Sequence, residues 1–203
     1  MIFRYPGGKS KKSVKEKIMA YFPAKYEEFR EPMVGGGGIF FSISLNISRW
    51  INDIDGNLIS LYTSLRDRPI DFISLCRKIK PPCDGEELDS ARPGGKKIYS
   101  KRLKEFFDKC AADDDIDQAL RYFFVHRTVW GGRVNYDIAS RMYFSNPNGW
   151  NMAHSNRMEE VAKILNGVRI TSVSYENLLV EPGNDVLIYL DPPYNCERKT
   201  PPF

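Results

Sequence analysis

The stretch best equipped for chemistry is Asp191-Pro192-Pro193-Tyr194. It follows Val186 to Leu190, an unbroken apolar and aromatic run that reads as a strand buried on both faces of a parallel sheet. Proline cannot donate to a sheet ladder, so the strand stops there and the Pro192 and Pro193 carbonyls are left only to accept. A carboxylate, two rigid carbonyls and an aromatic ring make an acceptor-rich cradle with a stacking wall. Such a cradle suits a flat group that carries an amine, a nucleobase for instance. An acid at the carboxyl end of a parallel strand also sits where open α/β sheets bind ligands. The same residues equally describe a strand end closed by an Asx-type turn with a packed tyrosine.

A second stretch, Glu31-Pro32-Met33-Val34-Gly35-Gly36-Gly37-Gly38, lies between a short strand over Tyr26 to Arg30 and an apolar run, Ile39 to Ile47, expected to be a helix. Strand, glycine loop and helix bring backbone close to a ligand. The glycines lack the dinucleotide spacing, and Glu31 would repel a pyrophosphate while attracting an ammonium group or a hydroxyl. The alternative is a flexible glycine connection. Ile51-Asn52-Asp53-Ile54-Asp55 ends another strand, with Asp53 22 residues beyond Glu31. An acid there is placed to hold ribose hydroxyls, or to cap the helix Gly56 to Leu65, whose Leu58, Leu61, Tyr62 and Leu65 form an apolar face. Two neighbouring acids allow both roles. Tyr5-Pro6-Gly7-Gly8-Lys9 precedes a helix expected to be capped by Ser10, striped by Val14, Ile18 and Phe22 and ended by Pro23. Its Gly-Gly-Lys is too short for a triphosphate loop and alone reads as a turn with a solvated lysine.

These elements need a chain able to build a core, and 203 residues with 42% hydrophobic and 13% aromatic residues suit one domain, or one domain with a sub-domain. The net charge of +4 is a weak pointer to nucleic acid. Cys76, Cys83, Cys110 and Cys196 include no close pair, and His126 and His154 stand apart from them. That spacing argues against a zinc site or a disulfide framework and fits a reducing, cytoplasmic setting, with no metal expected. The amino terminus lacks a signal-peptide core, and the apolar run around residues 39–47 is too short to span a bilayer, so no membrane role is expected.

Arg4-Tyr5-Pro6-Gly7-Gly8-Lys9, Arg30-Glu31-Pro32-Met33-Val34-Gly35-Gly36-Gly37, Asn52-Asp53 and Asp191-Pro192-Pro193-Tyr194 resemble, in kind and in order, the motifs of Dam-type (D12 class) DNA adenine methyltransferases. The resemblance implies an α/β fold: a doubly wound, Rossmann-like sheet that binds S-adenosylmethionine, carrying a helical target-recognition insert. It implies Asp191, Pro192, Pro193 and Tyr194 as catalytic residues. Tyr5, Gly8 and Lys9 would flank the cofactor, Glu31, Pro32, Gly35 and Gly37 would enclose its methionine part, Asp53 would hold the ribose, and Tyr175 would lie beside the adenine, with Asp191 also at the cofactor. Residues 1–66 and 168–203 are expected to form the catalytic domain and residues 67–167 the mainly helical insert.

Within the insert, His126-Arg127-Thr128, Trp130-Gly131-Gly132-Arg133-Val134-Asn135 and Phe144 to Trp150 are similar to the family's stretches near target DNA. Arg127, Arg133, Asn135 and Trp150 are therefore the expected contacts to double-stranded DNA, with the arginines on phosphate. His126 replaces the family's usual asparagine and reads as a packed helix histidine. Helices are expected over Ile70 to Lys80, from Asp113-Asp114-Asp115 through residue 128, and from an Asn156–Glu159 capping box through Met158, Val161, Ala162 and Leu165 to Gly167. A strand is expected over Val168 to Val173. Family members continue beyond the tetrapeptide, so the expectation is that C-terminal strands are missing here. The 203 residues alone would then be weakly active or self-associating until a longer chain or a second chain completes the sheet. The expected activity is methyl transfer to the exocyclic amine of adenine in DNA, as in restriction-modification. A cytosine amino-group methyltransferase and an inactive DNA-binding remnant are the alternatives.

Overall fold

Four short parallel strands position everything that follows. The computed structural model describes residues 5, 9, 11–79, 115–128 and 156–192. Its strands β1 (Glu28–Glu31), β2 (Ser48–Asn52), β3 (Arg169–Thr171) and β4 (Val186–Ile188) form one sheet in the order β3-β2-β1-β4. The chain winds outward from β1 through β2 to β3, then returns to the other side of β1 for β4. Strand order thus reverses between β1 and β4, the place where open parallel sheets bind ligands. The result is a mixed α/β architecture consistent with a Rossmann-like methyltransferase.

Six helices accompany the sheet among the described residues: α1 (Lys12–Met19), α2 (Gly56–Asp67), α3 (Pro69–Lys78), α4 (Asp115–Thr128), α5 (Asn156–Leu165) and α6 (Glu176–Val180). The expected face of α2 is observed, with Leu58, Leu61, Tyr62 and Leu65 fully buried. Its amino end is capped by Asp55, whose carboxylate accepts from the N–H groups of Asn57 and Leu58. Met158, Val161, Ala162 and Leu165 of α5 are buried as the periodicity predicts, and Gly167 leaves that helix at φ +71°. Phe72 of α3, Phe123 and Phe124 of α4 and Leu165 of α5 join α2 and Phe29 and Ile51 of the sheet in one hydrophobic core.

Three local expectations give way. The run after the glycines forms only a 3₁₀ turn, Phe40–Ser42, and Ile43 is already extended. The run is rich in β-branched and serine residues, which favour helix poorly, and Ser44 diverts its hydroxyl to the Asn46 N–H. Ile39, Phe40 and Ile43 are nonetheless buried, so the segment contributes core without a helix. The cap position of α1 is Lys11 rather than Ser10, with no side-chain cap bond. Finally, β4 is shorter than Val186 to Leu190 and only half-buried, because among the described residues it pairs with β1 alone. Tyr189 turns toward Phe22 and the core while Leu190 is exposed.

Two strand arginines are buried by carbonyls rather than by carboxylates alone. Arg30 donates to the carbonyls of Leu178, Glu181 and Pro182 as well as to Glu28. Arg49 donates to the carbonyls of Ile164 and Asn166, satisfying the end of α5.

Candidate active site

The carboxyl ends of the strands bring the sequence-predicted acids to one rim. Glu31 is the last residue of β1, Asp53 follows β2, Tyr175 follows β3 and Asp191 lies three residues past β4. Lys9, 182 residues away in sequence, reaches Asp191 with a 2.9 Å ion pair, both side chains partly accessible. The amino-terminal stretch and the tetrapeptide therefore meet directly.

The glycine loop is a fixed cradle rather than a flexible connection. Gly35, Gly36 and Gly37 are buried. The Gly35 N–H donates to Asp53 Oδ2 at 2.9 Å, and the Gly35 carbonyl accepts from the Tyr62 hydroxyl at 2.8 Å. Gly35 sits at φ +46°, and a Cβ there would stand 2.8 Å from the Tyr5 ring. Only glycine allows both the backbone conformation and the close approach. Asp53 also accepts from the Asp55 N–H, so its carboxylate ties the glycine loop to the turn before α2 while retaining acceptor capacity for a ligand.

Electrostatically the rim is acidic and under-satisfied. Glu31 is 3% exposed, accepts from the Phe40 backbone N–H, and its Oε2 has no hydrogen-bond partner. Burial raises its pKa well above the ordinary carboxylate value, and the nearby Asp191 and Asp53 push it further up. Burial likewise raises Asp53, opposed by the backbone donors of Asp55, Gly35 and Ile54. Tyr5 is shifted upward, first by burial and then by Asp53 and Asp55. An orphaned buried carboxylate oxygen fits a cationic ligand group such as an ammonium, which would supply its missing partner. Among the described residues, no group of three or more His, Cys, Asp or Glu is arranged to hold a metal ion.

Tyr5, Lys9, Glu31, Pro32, Gly35, Gly37, Asp53 and Asp191 lie on or against this rim. Tyr175 stands at its β3 side, 42% exposed, at the start of α6. Pro192 is exposed beside Asp191. Arg127 lies in the last turn of α4, half-buried. Gly8, Pro193, Tyr194, Arg133, Asn135 and Trp150 fall outside the described residues. His126 is buried in an aromatic stack, 4.3 Å from the Tyr122 ring and 5.9 Å from that of Tyr5. Sequence reasoning missed Tyr122, whose hydroxyl donates to Asp55 at 3.0 Å and so links α4 to the site.

Residues 5–203 match the family model described as D12 class N6 adenine-specific DNA methyltransferase. The type II methyltransferase M1.LlaDCHI of Lactococcus lactis subsp. cremoris is 25% identical over 207 residues, covering 98% of this chain and 67% of that protein. The DNA adenine methylase of Salmonella typhi is 26% identical over 195 residues, covering 94% of this chain and 63% of that protein. The DNA N-6-adenine-methyltransferase of Escherichia phage P1 is 26% identical over 140 residues, 68% of this chain and 16% of that protein. This chain thus spans about two thirds or less of the length of these relatives. No helix among the described residues is long and apolar enough to cross a membrane.

Proposed function

The chain belongs to the D12 class of N6 adenine-specific DNA methyltransferases, and we propose that it methylates the exocyclic amine of adenine in double-stranded DNA, with S-adenosylmethionine as donor. The observation that carries this reading is the convergence of Glu31, Asp53 and Asp191 at the reversal of strand order, with a buried Glu31 oxygen left without a partner. The donor, when bound, supplies a methyl group activated by its sulfonium. Glu31 and the glycine loop are suited to its ammonium end and Asp53 to its ribose hydroxyls. Tyr5 and Tyr175 supply aromatic surface.

The chain's own part in the chemistry falls to the tetrapeptide. The lone pair of an adenine amine is delocalised into the ring, so the amine is a poor nucleophile. Asp191 and the Pro192 carbonyl accept hydrogen bonds from its two N–H groups, which favours a pyramidal nitrogen with its lone pair free for the methyl group; the one proton the nitrogen then sheds leaves by way of the Asp191 carboxylate. Tyr194 stacks on the base once it has left the duplex. Lys9 gives Asp191 a counter-charge in the absence of substrate. Catalysis on this account is positioning and electrostatics.

Residues 67–167 supply target recognition in this proposal, with Arg127, Arg133, Asn135 and Trp150 on DNA. Residues 1–66 and 168–203 supply the cofactor face. In this proposal the open side of β4 is covered in the working enzyme by further chain or by a second chain, a reading supported by its half-buried apolar residues and its single neighbour among the described residues. Titrating the purified protein with S-adenosylmethionine in a calorimeter tests the core of the proposal. Saturable one-site binding, lost in Glu31→Ala, is expected. Absence of binding would leave the chain as a DNA-binding relative without donor chemistry.

A further inference from the structure

Beneath the rim, one buried side chain holds two of the rim's segments at once, one of them through the main chain of Pro32. Asn52, the last residue of β2, is 1% exposed. A carboxamide offers two donors and two acceptor positions, and here all four are used. Nδ2 donates to the carbonyls of Pro32 at 3.0 Å and Val173 at 2.9 Å. Oδ1 accepts from the Val173 N–H at 2.9 Å and the Thr171 hydroxyl at 2.8 Å. The main-chain carbonyl of Asn52 accepts from the Val34 N–H at 2.9 Å.

Resting on the reading that this face binds S-adenosylmethionine, we propose that Asn52 is a positioning residue that sets the width of the cofactor cleft. Its amide stands in for a peptide group. It grips Val173 by both backbone atoms, two residues past the end of β3, and so continues the β2–β3 pairing toward Tyr175. On the other side it holds Pro32 and Val34, immediately before the glycine loop. The segment at Glu31 to Gly37 and the segment at Val173 to Tyr175 therefore take their separation from a single buried group.

The amide has one orientation. The Trp50 indole donates to Thr171 Oγ1 at 2.8 Å, so that hydroxyl spends its own proton on Asn52 Oδ1. Trp50 is in turn covered by the Arg169 guanidinium, 3.6 Å from the ring centre. No other residue type reproduces this pattern. Aspartate would aim acceptors at the Pro32 and Val173 carbonyls. Leucine would strand three backbone groups.

The test compares Asn52→Leu with Thr171→Val and Thr171→Ser in the purified protein. Calorimetric titration with S-adenosylmethionine should show binding weakened about tenfold in N52L and about threefold in T171V, the scale of buried hydrogen bonds lost, with T171S near wild type. Steady-state KM for the cofactor should rise in parallel, while kcat at saturating cofactor and KM for DNA stay within about twofold. In ligand-free protein, hydrogen exchange at the Val34 and Val173 amides should accelerate together while the β1–β2 ladder stays protected. Folded variants with wild-type affinity and unchanged exchange would overturn the proposal, as would a loss confined to kcat. If N52L does not fold, the valine and serine pair at Thr171 decides. If wild-type protein takes no S-adenosylmethionine, the functional reading fails, and the exchange result alone decides whether Asn52 couples the two segments.

Discussion

On the β2 side of β1 the strand ends are cross-tied. Asp53 binds the Gly35 N–H, Tyr62 binds the Gly35 carbonyl, and Asn52 binds Pro32, Thr171 and Val173. On the β4 side the ties sit at the opposite end of the strand. Arg30 gathers the carbonyls of Leu178, Glu181 and Pro182, and the Asp185 carbonyl accepts from Glu27 and Glu28. Past β4, the Tyr189 N–H meets the Arg30 carbonyl and Lys9 meets Asp191. The β2 side is thus cross-tied at its tips through the glycine loop, whereas the β4 side is tied chiefly at its base, with the Tyr189 and Lys9 bonds holding its tip. A cofactor pocket benefits from being preformed. In the proposed reaction Asp191 would exchange its Lys9 partner for the amine of the base while the root of β4 stays fixed by Arg30.

Single substitutions on either side separate the two kinds of tie. Asp191→Ala should give the largest effect: single-turnover methylation reduced about 1,000-fold or more, the scale of losing a preorganised electrostatic partner. DNA affinity should stay near wild type, and retained turnover would remove Asp191 from the chemistry. Arg30→Met attacks the root of β4. It strands Glu28 and three carbonyls, and thermal unfolding should report about 3–5 kcal/mol lost. A loss under about 1 kcal/mol would show that the base of β4 is held by other contacts.

Asp53→Ala attacks the rigid tips. It should weaken cofactor binding by about 1–3 kcal/mol in calorimetry, the range for hydrogen bonds to a charged group. Unchanged affinity would take the ribose role from Asp53.

Glu31→Gln should act in opposite senses on stability and binding. The folded carboxyl is raised above its unfolded value, so its stabilising contribution is complete below the ordinary carboxylate range and is lost as pH rises through the raised folded value. Glutamine escapes that loss. Ligand-free Glu31→Gln should therefore melt higher than wild type by an amount that grows as pH rises above the ordinary carboxylate range. Its cofactor binding should weaken at the same time. Parallel melting curves across pH would show that Glu31 is paired in the folded protein.

Much of this frame was legible in local pattern. Periodicity marked α2 and α5, Asp55 and Gly167 marked their ends, and the acids at strand ends marked the rim. The glycine run was ambiguous because composition alone does not distinguish a free linker from a buried turn. Tyr5, Tyr62 and Asp53 decide it, and their contacts are long-range. The helix expected after the glycines does not form because its apolar run is interleaved with β-branched and serine residues that disfavour helix. The roles of Asn52 and Arg30 could not be read at all. Their partners lie about 120 and 150 residues away, and no local spacing encodes them.

The proposed function stands or falls on whether this rim delivers a methyl group to the amine of adenine. The most direct measurement incubates the purified protein with methyl-labelled S-adenosylmethionine and duplex DNA, then identifies the labelled nucleoside by mass after digestion. Methyl delivery to adenine through Asp191 should yield N6-methyladenine with wild-type protein and none with Asp191→Ala. Label on the cytosine amine, or N6-methyladenine that persists in the Asp191→Ala protein, would contradict it.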